Sequence, residues 1–161
     1  MRPKHNPENI LILGIGNYLM GDEGVGVHFA KIFSKETWPE GVTVIDGGTG
    51  GFHLTGILES FSHVILIDAT LDGRPPGTIR VIEPKFSSDY PKAMSTHDIG
   101  MKDLIDAMTL MGTIPKIHLI TVSIESLQQQ AINLSPEIEA VLPKLESIAR
   151  EIINSIRDQE L

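Results

Sequence analysis

Four side chains combine acid–base or metal-binding chemistry with informative positions: Glu23, Asp46, Asp68 and His97. Asp68 closes the apolar run Val64-Ile65-Leu66-Ile67, where an ionised carboxylate is costly unless something binds it. Glu23 sits inside the glycine-rich stretch Gly21-Asp22-Glu23-Gly24-Val25-Gly26 that follows another apolar run. His97 follows Ser95-Thr96 at the start of a helical pattern, where the positive end of the helix dipole disfavours the imidazolium and keeps a neutral ligand available. Once the strands are laid side by side, Glu23, Asp68 and His97 converge on one sheet edge. Two carboxylates and one imidazole with open positions suit zinc, nickel or iron rather than a sulfur-seeking ion. Asp46 ends the run Val42-Thr43-Val44-Ile45 and leads into Gly47-Gly48-Thr49-Gly50-Gly51.

Each of these residues also has a purely structural reading. Asp22 reads as a helix N-cap, with Glu23 beside it serving the dipole. Asp46 reads as the cap of a turn made by Gly47 and Gly48. The Ser95-x-x-Asp98 spacing is a capping-box-like signal, so His97 could simply help to start a helix. His5, His28, His53, His63 and His118 carry no functional expectation, and Met94, Met101, Met108 and Met111 read as core fillers.

The elements that must position these groups alternate in an α/β pattern. Apolar runs predict strands at about 10–15, 42–46, 63–69, 78–83 and 116–123. Helical periodicity predicts a first helix from about Asp22 to Lys35 with Val25, Phe29, Ile32 and Phe33 on one face, and a short second one near Phe52 to Ser60. A third spans about His97 to Met111, with Met101, Leu104, Ile105 and Met108 turned inward. The last begins at Ser135 as N-cap with Pro136 at the first helical position. Ile138, Val141, Leu142, Leu145, Ile148, Ile152 and Ile156 form its apolar stripe, and Pro143 should kink it. Only Thr70 to Gly77 separates the third strand from the fourth, too little for a helical crossover, so the fourth strand should run antiparallel. The polar Glu125 to Asn133 segment is long enough to be a functional rim.

The 161 residues fit one domain, 1–161, with a loose polar lead from Met1 to Asn9 unlike a signal sequence. A formal net charge of -8 opposes a general attraction to nucleic acid or to an anionic membrane, and would suit a basic partner. No run approaches membrane-spanning length. The absence of cysteine excludes disulfides, thiolate zinc sites and a cysteine nucleophile, and fits a reducing compartment such as the cytoplasm. Gly14-x-Gly16 is next followed by Gly21, so the dinucleotide spacing fails; a phosphate loop lacks its Gly-Lys-Ser/Thr, and no serine lies in G-x-S-x-G.

Taken in order, four motifs resemble the [NiFe]-hydrogenase maturation endopeptidases. They are Gly14-x-Gly16-Asn17-x-x-x-Gly21-Asp22-Glu23-Gly24-x-Gly26-Val27, Asp46-Gly47-Gly48-Thr49-x-Gly51, Ile67-Asp68-Ala69 and Ser95-x-His97. The likeness covers nearly the whole chain, including Leu134-Ser135-Pro136-Glu137. It implies a three-layer α/β/α fold with a mixed five-stranded sheet, its fourth strand antiparallel. It also implies a function: removal of a short C-terminal extension from a [NiFe]-hydrogenase large-subunit precursor after nickel insertion. Carried over by position, the metal-contacting residues are Glu23, Asp68 and His97. The nickel would come with the substrate, held by its cysteine thiolates, and zinc or cadmium could enter the site in the isolated protein. Asp46 would shape the cleft or orient the scissile region, and either it or a metal-bound carboxylate is the candidate general base. Ser123-Ile124-Glu125-Ser126 departs from the glycine and proline that relatives often carry after the fifth strand, which bears on the rim loop and on the choice of hydrogenase. Two other readings stay open: a self-contained zinc peptidase using the same three residues, and a noncatalytic receiver-like module built around Asp68.

Overall fold

Strands buried on both faces must be apolar throughout, and the runs at Ile10, Val64 and Ile117 become the centre of a sheet for that reason. The computed structural model describes residues 9–49, 54–85, 89–90, 98–125 and 130–159, with backbone alone at 98–104. The sheet contains β1 (Ile10–Gly14), β2 (Val42–Asp46), β3 (His63–Thr70), β4 (Ile79–Ile82) and β5 (Lys116–Ser123), in the order β2-β1-β3-β5-β4. Neighbours β1, β2, β3 and β5 pair in parallel, whereas β4 pairs antiparallel with β5, as the short Thr70 to Gly77 connection requires.

Helices cover both faces. On one, α1 (Val25–Phe33), α4 (Pro136–Glu139) and α5 (Leu142–Gln159) pack Phe29, Phe33, Ile138, Leu145, Ala149 and Ile153 against Ile10, Ile12, Ile65 and Ile120. On the other, α2 (Thr55–Glu59) and α3 (Asp98–Met111) set Leu58, Ile105 and Met108 against Leu11, Leu13, Leu66 and Leu119. The result is the expected three-layer α/β/α arrangement with a mixed five-stranded sheet. No helix among the described residues is long and apolar enough to cross a membrane.

Several boundaries and facings differ from the sequence reading. The first helix does not start at Asp22: Gly21–Gly24 forms a 3₁₀ turn, and α1 follows with Gly24 as its N-cap residue. Ile32 is 46% exposed, and the smaller Ala30 takes the inward position between Phe29 and Phe33. The last helix is divided rather than kinked, with α4 ending at Glu139 and α5 starting at Leu142. Pro143 then falls in the first turn of α5, where a missing N–H is tolerated, while its ring bars a continuous helix through residue 139. Ala149 and Ile153 occupy the deepest positions of α5, and Ile148 and Ile152 flank them. Met111 is exposed, unlike the core filler expected. The lead from Met1 to Glu8, together with Met94, His97 and the side chains of Met101 and Leu104, lies outside the described residues.

Candidate active site at the carboxyl edge of the sheet

The segment after β1 is stitched to both neighbouring strands. Ile15 N–H donates to Ile67 O at 3.0 Å, Gly16 N–H donates to Gly48 O at 2.8 Å, and Gly47 N–H donates to Gly14 O at 2.8 Å. The chain can then fold back because its glycines permit backbone contact. A Cβ on Gly14 would stand 1.9 Å from Gly26 O, and one on Gly26 would stand 2.2 Å from Ile67 O and 2.4 Å from Ile15 O. This close approach presses the 3₁₀ turn and the start of α1 onto the end of β3. Glu23, on that turn, is 1% exposed.

Asp68 stands on β3 one residue beyond Ile67 and is fully buried; its Oδ1 accepts the Ala69 N–H at 2.8 Å. Val64 and Leu66 belong to the apolar cluster under α2 and α3, so strand alternation turns Asp68 to that face. The described part of α3 starts at Asp98, on the same face and directly after His97 in sequence. Glu23 and Asp68 are thus carried by two elements that meet at the same edge. A donor set of carboxylates, with an imidazole expected from the adjoining segment, fits a borderline divalent cation.

Asp46 lies two strands away from β3, across β1, a lateral separation of about 10 Å. Its Oδ1 accepts the Gly48 N–H at 2.9 Å, forming a turn in which Gly48 takes a φ of 58°. Its Oδ2 lies 3.4 Å from Lys31 Nζ of α1, and the side chain is 35% exposed. The turn-capping reading of Asp46 is therefore present, and its carboxylate faces the α1 side rather than the α3 side.

Asp22 is not the N-cap expected of it. Its Oδ1 accepts the Ser135 N–H at 2.7 Å, tying the 3₁₀ turn to the start of α4. The described end of the expected rim, residues 130–133, lies along the glycine-rich segment. Met20 and Ala131 form a parallel bridge, Gly21 N–H donates to Ala131 O at 2.7 Å, and Ala131 N–H donates to Leu19 O at 2.8 Å. Leu19, Gln130, Ala131, Ile132 and Asn133 line a cavity of about 590 Å³ there. Thr121 was not singled out by any sequence motif; it is fully buried and is the register partner of Asp68 on β5.

Residues 27–152 match the hydrogenase maturation protease family. The hydrogenase 2 maturation protease of Escherichia coli K12 is 33% identical over 144 residues, 86% of this chain and 87% of that protein. The hydrogenase expression/formation protein HupD of Bradyrhizobium diazoefficiens is 37% identical over 131 residues, 78% of this chain and 67% of its own length. Among solved structures, the hydrogenase maturating endopeptidase HybD from E. coli superposes with a TM-score of 0.80 at 32% identity, covering 91% of this chain and 93% of that one. The [NiFe] hydrogenase maturation protease HybD of Thermococcus kodakarensis does so with a TM-score of 0.74 at 26% identity, covering 90% and 99%.

Proposed function

Because the chain belongs to the hydrogenase maturation protease family, we propose that it is the endopeptidase that removes the C-terminal extension of a [NiFe]-hydrogenase large-subunit precursor after nickel insertion. Family membership among proteases sets aside the receiver-like reading. The observation that supports the finer reading is the pair of buried carboxylates, Glu23 and Asp68, on a turn and a strand packed together at the carboxyl edge.

In this reading the nickel is part of the substrate, held by cysteine thiolates of the precursor. Glu23 and Asp68 offer oxygen donors and His97 an imidazole to its open positions, so recognition is a bridge through the metal. This chain has no cysteine and contributes no thiolate of its own. Three ligands of this kind form an open site that zinc or cadmium can enter in the isolated protein. Asp46 acts by shape: its bond to Gly48 and its ion pair with Lys31 hold the Asp46–Thr49 turn beside the glycine-rich segment. We place the reaction in the cytoplasm, where reducing conditions keep the precursor's thiolates free for the metal.

The decisive experiment mixes the metal-free protein with nickel-free and with nickel-loaded precursor and follows the precursor C-terminus by mass spectrometry. Shortening of the nickel-loaded form alone is expected. Equal cleavage of both would overturn recognition through the metal.

A further inference from the structure

Thr121 and Asp68 are Cα partners in the parallel β3–β5 ladder. Neighbouring strands lie about 4.8 Å apart, so same-face partners are within side-chain reach. Ile117 and Leu119 of β5 belong to the cluster under α2 and α3, as Val64 and Leu66 of β3 do, and alternation turns both Thr121 and Asp68 to that face. Both residues are fully buried. The Thr121 hydroxyl is closed off from solvent and finds no hydrogen-bond partner among the described residues. Ser123, two residues along β5, shows the ordinary arrangement, its hydroxyl donating to Asp72 Oδ1 at 2.8 Å. A valine would match threonine in shape and in strand preference without a polar group to desolvate. An orphaned hydroxyl beside a carboxylate therefore needs a reason, and the carboxylate supplies one.

We propose that Thr121 is a positioning residue for Asp68, its hydroxyl donating to the Asp68 carboxylate when that group takes a cation. Carboxylates that bind metals are themselves hydrogen-bonded, which fixes their orientation and leaves a defined oxygen for the ion. Asp68 Oδ1 already accepts the Ala69 N–H, and Thr121 offers a second donor from the adjacent strand. The inference rests on the reading of Asp68 as a metal-contacting residue.

The test is calorimetric titration of the purified, metal-free full chain with nickel salt, for the wild type and for Asp68→Asn, Thr121→Val and Thr121→Ser, alongside melting curves without metal. Thr121→Val should weaken nickel binding by about 10-fold or more, the effect usual for a lost partner of a ligand, while melting no lower than the wild type. Thr121→Ser, which keeps the hydroxyl, should lose far less affinity than Thr121→Val. If Asp68→Asn weakens binding but Thr121→Val does not, the role of Thr121 is overturned and the metal reading of Asp68 stands. Equal losses for the valine and serine variants would also overturn it, since packing rather than the hydroxyl would then be responsible. Nickel uptake that neither Asp68→Asn nor Thr121→Val weakens overturns both.

Discussion

The Asp22 carboxylate accepts the Ser135 backbone N–H at 2.7 Å, joining segments 113 residues apart in the chain. Asp22 and Glu23 are adjacent, both buried and both acidic, yet they do different work. The first fastens the 3₁₀ turn to the last helical layer, and the second is a proposed ligand. Asp22→Ala leaves the Ser135 N–H without its acceptor and should cost about 1.5–3 kcal/mol, the range for a hydrogen bond to a charged group. Asp22→Asn, which keeps an acceptor oxygen, should cost less. Urea unfolding of the two variants checks the order.

Glu23→Gln and Asp68→Asn preserve shape at buried positions, so both should still fold cooperatively. Both should leave the hydrogenase precursor unprocessed. Leu145→Ala is the opposite case: it empties a fully buried position on α5, far in sequence from both carboxylates, and should cost about 2–5 kcal/mol. Below its lowered melting point it should process precursor normally. Melting curves and processing gels on the same preparations separate the two classes, and normal processing by Asp68→Asn would remove that residue from the site.

The architecture was legible because its signals are local. Doubly covered strands must be apolar along their whole length, and a connection as short as Thr70 to Gly77 cannot hold a crossover helix. Asp68 stood out for a related reason, since an acid that closes such a run contrasts with its surroundings, whereas Glu23 was marked only by the glycines around it. What stayed hidden depends on contacts between distant segments. No periodicity reveals that Asp22 meets Ser135, that Met20 bridges Ala131, or that Thr121 stands in register with Asp68. Ala30 and Ala149 lie deeper than Ile32 and Ile148 because close helix–sheet packing leaves room for a methyl group and not for a longer side chain, which hydrophobicity alone does not disclose.

Asp46 separates two roles by substitution. Asp46→Asn keeps an oxygen for the Gly48 N–H and should preserve the turn and most processing, losing only the exposed Lys31 pair, worth about 0–1 kcal/mol. Asp46→Ala removes both contacts and should slow processing with little change in stability. A loss of processing in Asp46→Asn as complete as in Asp46→Ala would instead identify the carboxylate as the general base. Time courses of precursor shortening distinguish these outcomes.

Gly26 sets the distance between α1 and the sheet. Gly26→Ala would put a methyl group 2.2 Å from Ile67 O, a backbone atom that cannot rotate aside, so the turn carrying Glu23 must move away from β3. A cost of about 1–3 kcal/mol or more is expected, with processing reduced beyond what the stability loss explains. Gly56→Ala is the control, because among the described residues nothing lies within 4 Å of its added Cβ in α2. It should be neutral or stabilising by about 0.4–1 kcal/mol. Chemical denaturation combined with processing at low temperature tests the pair.

At the opposite, amino edge of the sheet, His118 Nε2 lies 3.3 Å from His63 Nδ1, and its Nδ1 lies 3.4 Å from Glu83 Oε1. Burial holds the His118 pKa below its ordinary 6.5, helped by the charges of His63 and Lys116 and opposed by Glu83. The unfolded chain therefore binds a proton at a pH where the folded chain still resists it. Stability from this residue is fully present above the unfolded-state pKa near 6.5, and is lost as the pH falls from there through the lower folded-state value. Replacing the ring by a neutral amide in His118→Asn removes that proton from both states. Between about pH 7 and 5 the wild-type unfolding free energy should fall more steeply than that of the variant, with the two slopes converging above pH 7. Urea unfolding at half-unit pH steps gives both curves, and parallel slopes through the window would show that His118 is not charged differently in the folded and unfolded chains.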